Sequence, residues 1–122
     1  MSSEDLLLYK PVSELSRMIR RRQVSPVELT RACLDRIESL APDLHAFLTV
    51  TADLALDQAK KAEREIIAGR NRGPLHGIPY GAKDLVATRG SRTTWGAKPY
   101  EEQVFDHDAT VVRRLREAGA IL

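Results

Sequence analysis

Val12, Leu15 and Ile19 recur three and four positions apart, the spacing that lines apolar side chains along one face of a helix. Arg20, Arg21 and Arg22 follow, and positive charge suits the helix end where unpaired carbonyls gather. The pattern predicts a helix over about 12 to 22. In Ser25-Pro26-Val27-Glu28 the serine can cap a second helix, the proline suits its first turn, and the glutamate can reach back to complete a capping box. Its apolar face continues through Leu29, Ala32, Cys33, Ile37 and Leu40, and Pro42 should stop it, which bounds the helix at about 26 to 40. A third helix, at about 52 to 68, carries Leu56, Ala59, Ala62 and Ile66 on one side, with Gly69 placed to end it. Between Lys60 and Glu65 charges of both signs are mixed, as on a solvated face.

The pattern changes after residue 69. From Gly69 to Pro74 the chain is Gly, Asn, Arg and Pro rich, a loop and the main internal boundary. Ile78 to about Ala82 reads as a short strand, although Pro79 argues against a fully paired interior position. Asp108-Ala109-Thr110-Val111 opens a last helix at about 108 to 118, with Val111 or Val112, Leu115 and Ala118 inward and Gly119 as its cap. Ala120-Ile121-Leu122 then begins like a buried parallel strand, so the chain is expected to be the opening part of a longer protein. All seven glycines lie after residue 68, which sharpens the contrast between a helical first half (about 1–69) and a strand, loop and helix second half (about 70–122).

Composition narrows the function classes. The 122 residues are 43% hydrophobic and 30% charged, as in an ordinary globular chain, and 19 basic residues against 17 acidic leave a net charge of +2. That is too little to argue for direct nucleic-acid contact or a membrane surface, and Arg20 to Arg22 have no aromatic residues interleaved for base stacking. Leu6-Leu7-Leu8 is far too short to span a bilayer. The lone Cys33 cannot form an internal disulfide and fits the buried stripe of its helix; with the acidic start Glu4-Asp5, a cytoplasmic protein is expected. His45, His76 and His107 show no metal-ligand spacing, so no metal is expected. Asp106-His107-Asp108 lacks the following glycine and glutamate of a calcium loop and sits where a helix cap is wanted. Gly77 to Lys83 lacks the spacing of a phosphate loop, and no cofactor is expected.

In Gly73-Pro74-Leu75-His76-Gly77-Ile78-Pro79-Tyr80-Gly81-Ala82-Lys83-Asp84 the lysine is the odd residue, because its neighbours suggest a largely buried segment. Burial disfavours the ammonium, so Lys83 should either pair with a carboxylate or act as a neutral base, and from the residues alone the ion pair is the plainer account.

These residues also resemble the amidase signature family. Gly-Pro-Leu-x-Gly-Ile-Pro followed by three residues and Lys-Asp, at Gly73 to Asp84, is similar to that family's N-terminal hallmark. Ser25 to Leu29, Arg36-Ile37, Thr93-Thr94, Asp108 to Val112, Leu115 and Ala118-Gly119-Ala120 extend the resemblance in the family's order over nearly all of the chain from Val12. The resemblance implies an α/β fold, a mixed and mostly parallel sheet with helices on its faces, of which residues 1–122 form the N-terminal part. It implies hydrolysis of linear carboxamides by a serine, a serine in a cis peptide, and a lysine, with Lys83 matching the catalytic lysine. No serine here matches the other two, and Ser91 reads as a turn residue, so this chain alone is expected to be inactive. Asp84 should support the loop by hydrogen bonds, since adjacent strand residues face opposite ways. Ala97 stands where many members carry serine. A small or aryl amide is the expected substrate. The same family contains the glutamine-hydrolysing A component of tRNA-dependent amidotransferases, which works with partner subunits. A third reading is a non-catalytic scaffold that forms a homodimer through its helices, for which an aromatic content of 5% supplies few anchors.

Overall fold

The first helix of the chain is one that apolar periodicity passes over. The computed structural model describes residues 2–122, apart from the side chain of Glu4, and it opens with α1 (Ser3–Leu8). Ser2 and Asp5 close a capping box there, each side chain accepting from the other's backbone N–H at 3.1 and 3.0 Å. Arg36 then ties α1 to the third helix, through Asp5 at 3.4 Å and the Tyr9 hydroxyl at 2.9 Å.

The next helices, α2 (Val12–Arg20), α3 (Pro26–Leu44) and α4 (Ala52–Ile67), lie where the spacing predicts them. The capping box at Ser25 and Glu28 forms as expected, with bonds of 3.0 and 2.8 Å. α3 does not stop at Pro42. It runs through the proline to Leu44 and ends at His45, whose backbone is left-handed (φ 47°). So near the helix end the proline removes one backbone bond, to the carbonyl of the exposed Glu38, which water can reach. α4 ends as expected on Gly69 (φ 81°), where Gly69 and Arg70 return N–H bonds to Ile66 and Glu65.

Leu15, Ile19, Val24, Leu29, Ile66 and Ile78 form one buried cluster, which carries the core from the three helices across the loop at 70–74 into the second half. Ala55, Ala59 and Ile121 form another. The small alanines let the last residues of the chain lie close against α4. There Thr51 donates to the Leu122 carbonyl and the Gln58 side chain accepts from the Leu122 N–H, both at 2.9 Å.

The last helix, α5 (Thr110–Glu117), starts two residues later than expected, with Val112 inward and Val111 exposed. Asp108 does not cap it. Its carboxylate accepts from the Arg89 N–H at 2.8 Å and pairs with Arg116, fastening the preceding loop to the helix instead. Gly119 ends α5 as Gly69 ends α4.

The expected sheet is not formed among the described residues. Its two expected strands meet in a single parallel bridge, Pro79 with Ile121, where Tyr80 donates to Ile121 at 2.8 Å and Ile121 to Ile78 at 2.9 Å. The bonds use the Ile78 carbonyl and the Tyr80 N–H, so the N–H that Pro79 lacks falls on the opposite edge, and beyond it the Lys83 carbonyl turns back to accept from Leu85 and Val86. Arg92 and Val104 make a second, antiparallel bridge. Among the described residues no helix is long and apolar enough to cross a membrane.

Candidate active site around Lys83

Two glycines let the Lys83 segment sit close to its supports. At Gly77 (φ 80°) a Cβ would stand 2.7 Å from Cγ of Pro26, so the start of α3 bears directly on the backbone. At Gly81 a Cβ would stand 3.2 Å from the Phe47 ring. Between them runs the bridge to Ile121, preceded by a bond of 2.9 Å from the Gly77 N–H to the Gly119 carbonyl.

Held this way, Lys83 is exposed rather than buried, which corrects the expectation from its apolar neighbours. Ile78 is buried, but Tyr80 and Ala82 are only half-buried and Gly81 is open. Nor does Lys83 form an ion pair: among the described residues no carboxylate lies within salt-bridge distance of it. It lines a cleft of about 740 Å³ together with Thr30, Cys33, Phe47, Ser91 and Ile121. The walls are mostly apolar. The Thr30 hydroxyl on this cleft is buried without a hydrogen-bond partner, a polar atom that sequence spacing could not single out.

The neighbouring carboxylate is committed elsewhere. Asp84 accepts from the Thr94 N–H at 2.7 Å and from the Thr94 hydroxyl, while its carbonyl accepts from Trp95 at 3.0 Å. Burial alone would raise its pKa, but the bonds from Thr94 and Gly96 and the charge of Arg92 outweigh that and hold it below the usual carboxylate range. The supporting role expected of Asp84 is therefore what its bonds describe. Thr93 is buried as well, its carbonyl held by the Gln103 side chain at 3.0 Å. Ser91 lies in a turn and donates its N–H to the Thr88 carbonyl at 3.1 Å. Ala97 lies just before a 3₁₀ turn (Lys98–Tyr100) and does not line the cleft. Burial pushes the Cys33 thiol up, away from nucleophilic use. Among the described residues no three His, Cys, Asp or Glu side chains gather as a metal site would require.

One functional candidate carries no signal in the sequence. His76, the variable residue of the Gly-Pro-Leu-x-Gly-Ile-Pro motif, is buried, with Nε2 2.9 Å from Glu65 and Nδ1 accepting from the Arg72 N–H at 2.9 Å. Glu65 sits eleven residues earlier on another element, a contact that no local pattern signals.

A family model described as Amidase matches residues 28–122. Among curated relatives, the A component of the glutamyl-tRNA(Gln) amidotransferase of Acidothermus cellulolyticus is 45% identical over 116 residues, covering 95% of this chain and 23% of that protein. The protein of the same name from Carboxydothermus hydrogenoformans is 40% identical over 115 residues, covering 94% and 24%. The chain thus spans about a quarter of the length of the curated relatives it matches. Among solved structures, the native peptide amidase from Stenotrophomonas maltophilia superposes with a TM-score of 0.86 at 36% identity, over 93% of this chain and 23% of that one. A fatty acid amide hydrolase superposes with a TM-score of 0.91 at 22% identity, over 99% and 21%, a likeness of fold.

Proposed function

Because the chain belongs to the amidase signature family, we propose that it supplies the lysine of a site that hydrolyses linear carboxamides, and that this lysine is Lys83. The observation that carries the reading is the split between neighbours: Lys83 stands on an open cleft without a partner, whereas Asp84 is bound into the Thr94 loop.

An amide is a poor electrophile, so an attacking serine needs a base to take its proton, and that proton must reach the departing amine. Lys83 serves both ends: the C–N bond breaks, an acyl-serine forms, the amine leaves with the relayed proton, and water then releases the acid. The two serines, one of them the bridge between Lys83 and the nucleophile, are contributed by residues outside this chain. Backbone amides there hold the oxyanion, at about 3 kcal/mol per donor. Lysine works as a base only when desolvated. Lys83 is exposed here, so whatever covers the cleft completes the site, and residues 1–122 alone hydrolyse no amide.

In the whole protein, Lys83→Ala should lower turnover by about 10²- to 10⁴-fold while leaving the fold intact. Lys83→Arg should not restore turnover, because arginine stays protonated. Full activity in Lys83→Ala would overturn the assignment, and turnover by residues 1–122 that the same substitution abolishes would overturn the placement of the nucleophile outside them.

The mostly apolar cleft favours a small or aryl amide as substrate. A second reading, the A component of an amidotransferase that draws ammonia from glutamine and works with partner subunits, is supported by curated relatives at 40–45% identity. Co-purification of partner subunits together with glutamine hydrolysis selects it. Turnover of simple amides by the protein without partners selects the first.

A further inference from the structure

The cluster of Glu65, Arg72 and His76 lies on the far side of the Pro79 to Ile121 bridge from the chemistry proposed for Lys83, and that chemistry does not use it. We propose that these three residues form a lock that keeps Gly77–Lys83 in register with Gly119–Ile121 only while His76 is neutral, so that His76 is a positioning residue for Lys83. The positioning role rests on the reading of Lys83 given above; the lock itself does not.

The bonding partners assign the proton on the ring. Nδ1 accepts from the Arg72 N–H at 2.9 Å, so the proton sits on Nε2, which is buried 2.9 Å from Glu65 Oε2 but not aligned for a hydrogen bond to it. Glu65 is itself gripped by the Arg72 guanidinium through two bonds of 3.0 and 2.8 Å. Arg72 also donates to the carbonyl of Glu117 at 3.2 Å, joining α4, the loop and α5. A second proton on the ring could go only to Nδ1, where it would face the Arg72 N–H, donor against donor. The ring would have to turn.

It has little room to do so. His76 is buried, and a Cβ on Gly119 would lie 2.3 Å from its Cδ2. Gly119 is the residue whose carbonyl holds the Gly77 N–H, and the next bonds along are those between Tyr80, Ile121 and Ile78. A turned ring therefore presses on the bridge that aims the lysine segment.

Burial disfavours the imidazolium and lowers the His76 pKa below its ordinary value, and Arg72 acts in the same direction, against the opposing charge of Glu65 beside it. Lys61, one turn earlier on α4, acts on Glu65, which Arg72 holds below the usual carboxylate range against burial. From α5, the Glu117 carboxylate is taken by Arg113. The atoms of α2 and α3 nearest to a Cβ on Gly77 are those of Ile19 and Pro26, which carry no charge. The unfolded chain, titrating near 6.5, thus gains the proton before the folded one as pH falls, and the stability that neutral His76 contributes is lost below that pH.

Hydrogen-exchange protection factors of the Tyr80 and Ile121 amides in the whole protein test the lock without any turnover. They should fall by up to about tenfold per pH unit below about 6.5 and stay level in His76→Gln, whose amide can accept from Arg72 and donate to Glu65 without titrating. Should His76→Gln fail to fold, Glu65→Gln serves: without the carboxylate that opposes burial, protection should begin to fall at the same pH but go on falling to lower pH than in the unsubstituted protein. Protection that is level in the unsubstituted protein, a wild-type slope in His76→Gln, or a fall in Glu65→Gln that ends at the same pH as in the unsubstituted protein would overturn the lock and leave Lys83 untouched. Full activity of Lys83→Ala removes the positioning role and leaves the lock standing.

Discussion

At the scale of the residue, two glycines of the same backbone class separate conformation from contact. Gly69 and Gly119 both end helices at left-handed φ, 81° and 80°, but nothing lies within 4 Å of a Cβ on Gly69, whereas one on Gly119 meets the His76 ring. Gly69→Ala should therefore cost about 1 kcal/mol, the backbone term alone. Gly119→Ala should cost about 2–4 kcal/mol, because a buried ring held at Nδ1 has little room to yield and overpacking adds to the strain. Urea unfolding of the two variants decides the point, and equal costs would mean that the His76 contact has no energetic weight. The glycine caps themselves were legible in the sequence. That only one of them bears on a histidine was not, since His76 and Gly119 are joined by packing rather than spacing.

Among the elements, the starts and stops that side chains make locally were the readable ones. Ser25 and Glu28 cap α3 as their spacing predicts, so Ser25→Ala should lower stability by about 1 kcal/mol through loss of the Glu28 N–H acceptor, measured by urea unfolding. A cost near zero would assign the start of α3 to packing alone. Where a side chain had both a local and a distant option, the distant one prevailed. Asp108 stands two residues before α5 and binds Arg89 and Arg116 instead of capping it. Thr51 precedes α4, makes no cap bond, and donates to Leu122. The box of Ser2 and Asp5 has the same spacing logic as that of Ser25 and Glu28, but the apolar run of Leu6 to Leu8 is too short to show a helical period.

Across the whole molecule, Ile78 joins the lysine segment to the helices, since it shares one cluster with Leu15, Ile19, Leu29 and Ile66. Ile78→Ala should cost about 2–5 kcal/mol, against less than about 0.5 kcal/mol for Leu85→Ala, which is 54% exposed. Similar costs in thermal or urea unfolding would mean that the segment is not anchored through that core. The sequence by itself determined the order of α2 to α5 and the glycine ends of α4 and α5, because these follow from periodicity and bonds within a few residues, and it gave their faces in part, since Val12 is exposed, Ala55 is buried and only packing chose Val112 over Val111. Its hallmark residues around Lys83 also carried the family, which the match over 28–122 shows. Tertiary structure alone decided that Lys83 is open and unpaired, that Asp84 serves the Thr94 loop, and that His76 is enclosed between Glu65, Arg72 and Gly119. Burial and pairing are properties of what packs from elsewhere in the chain, and hydropathy along a segment does not contain them.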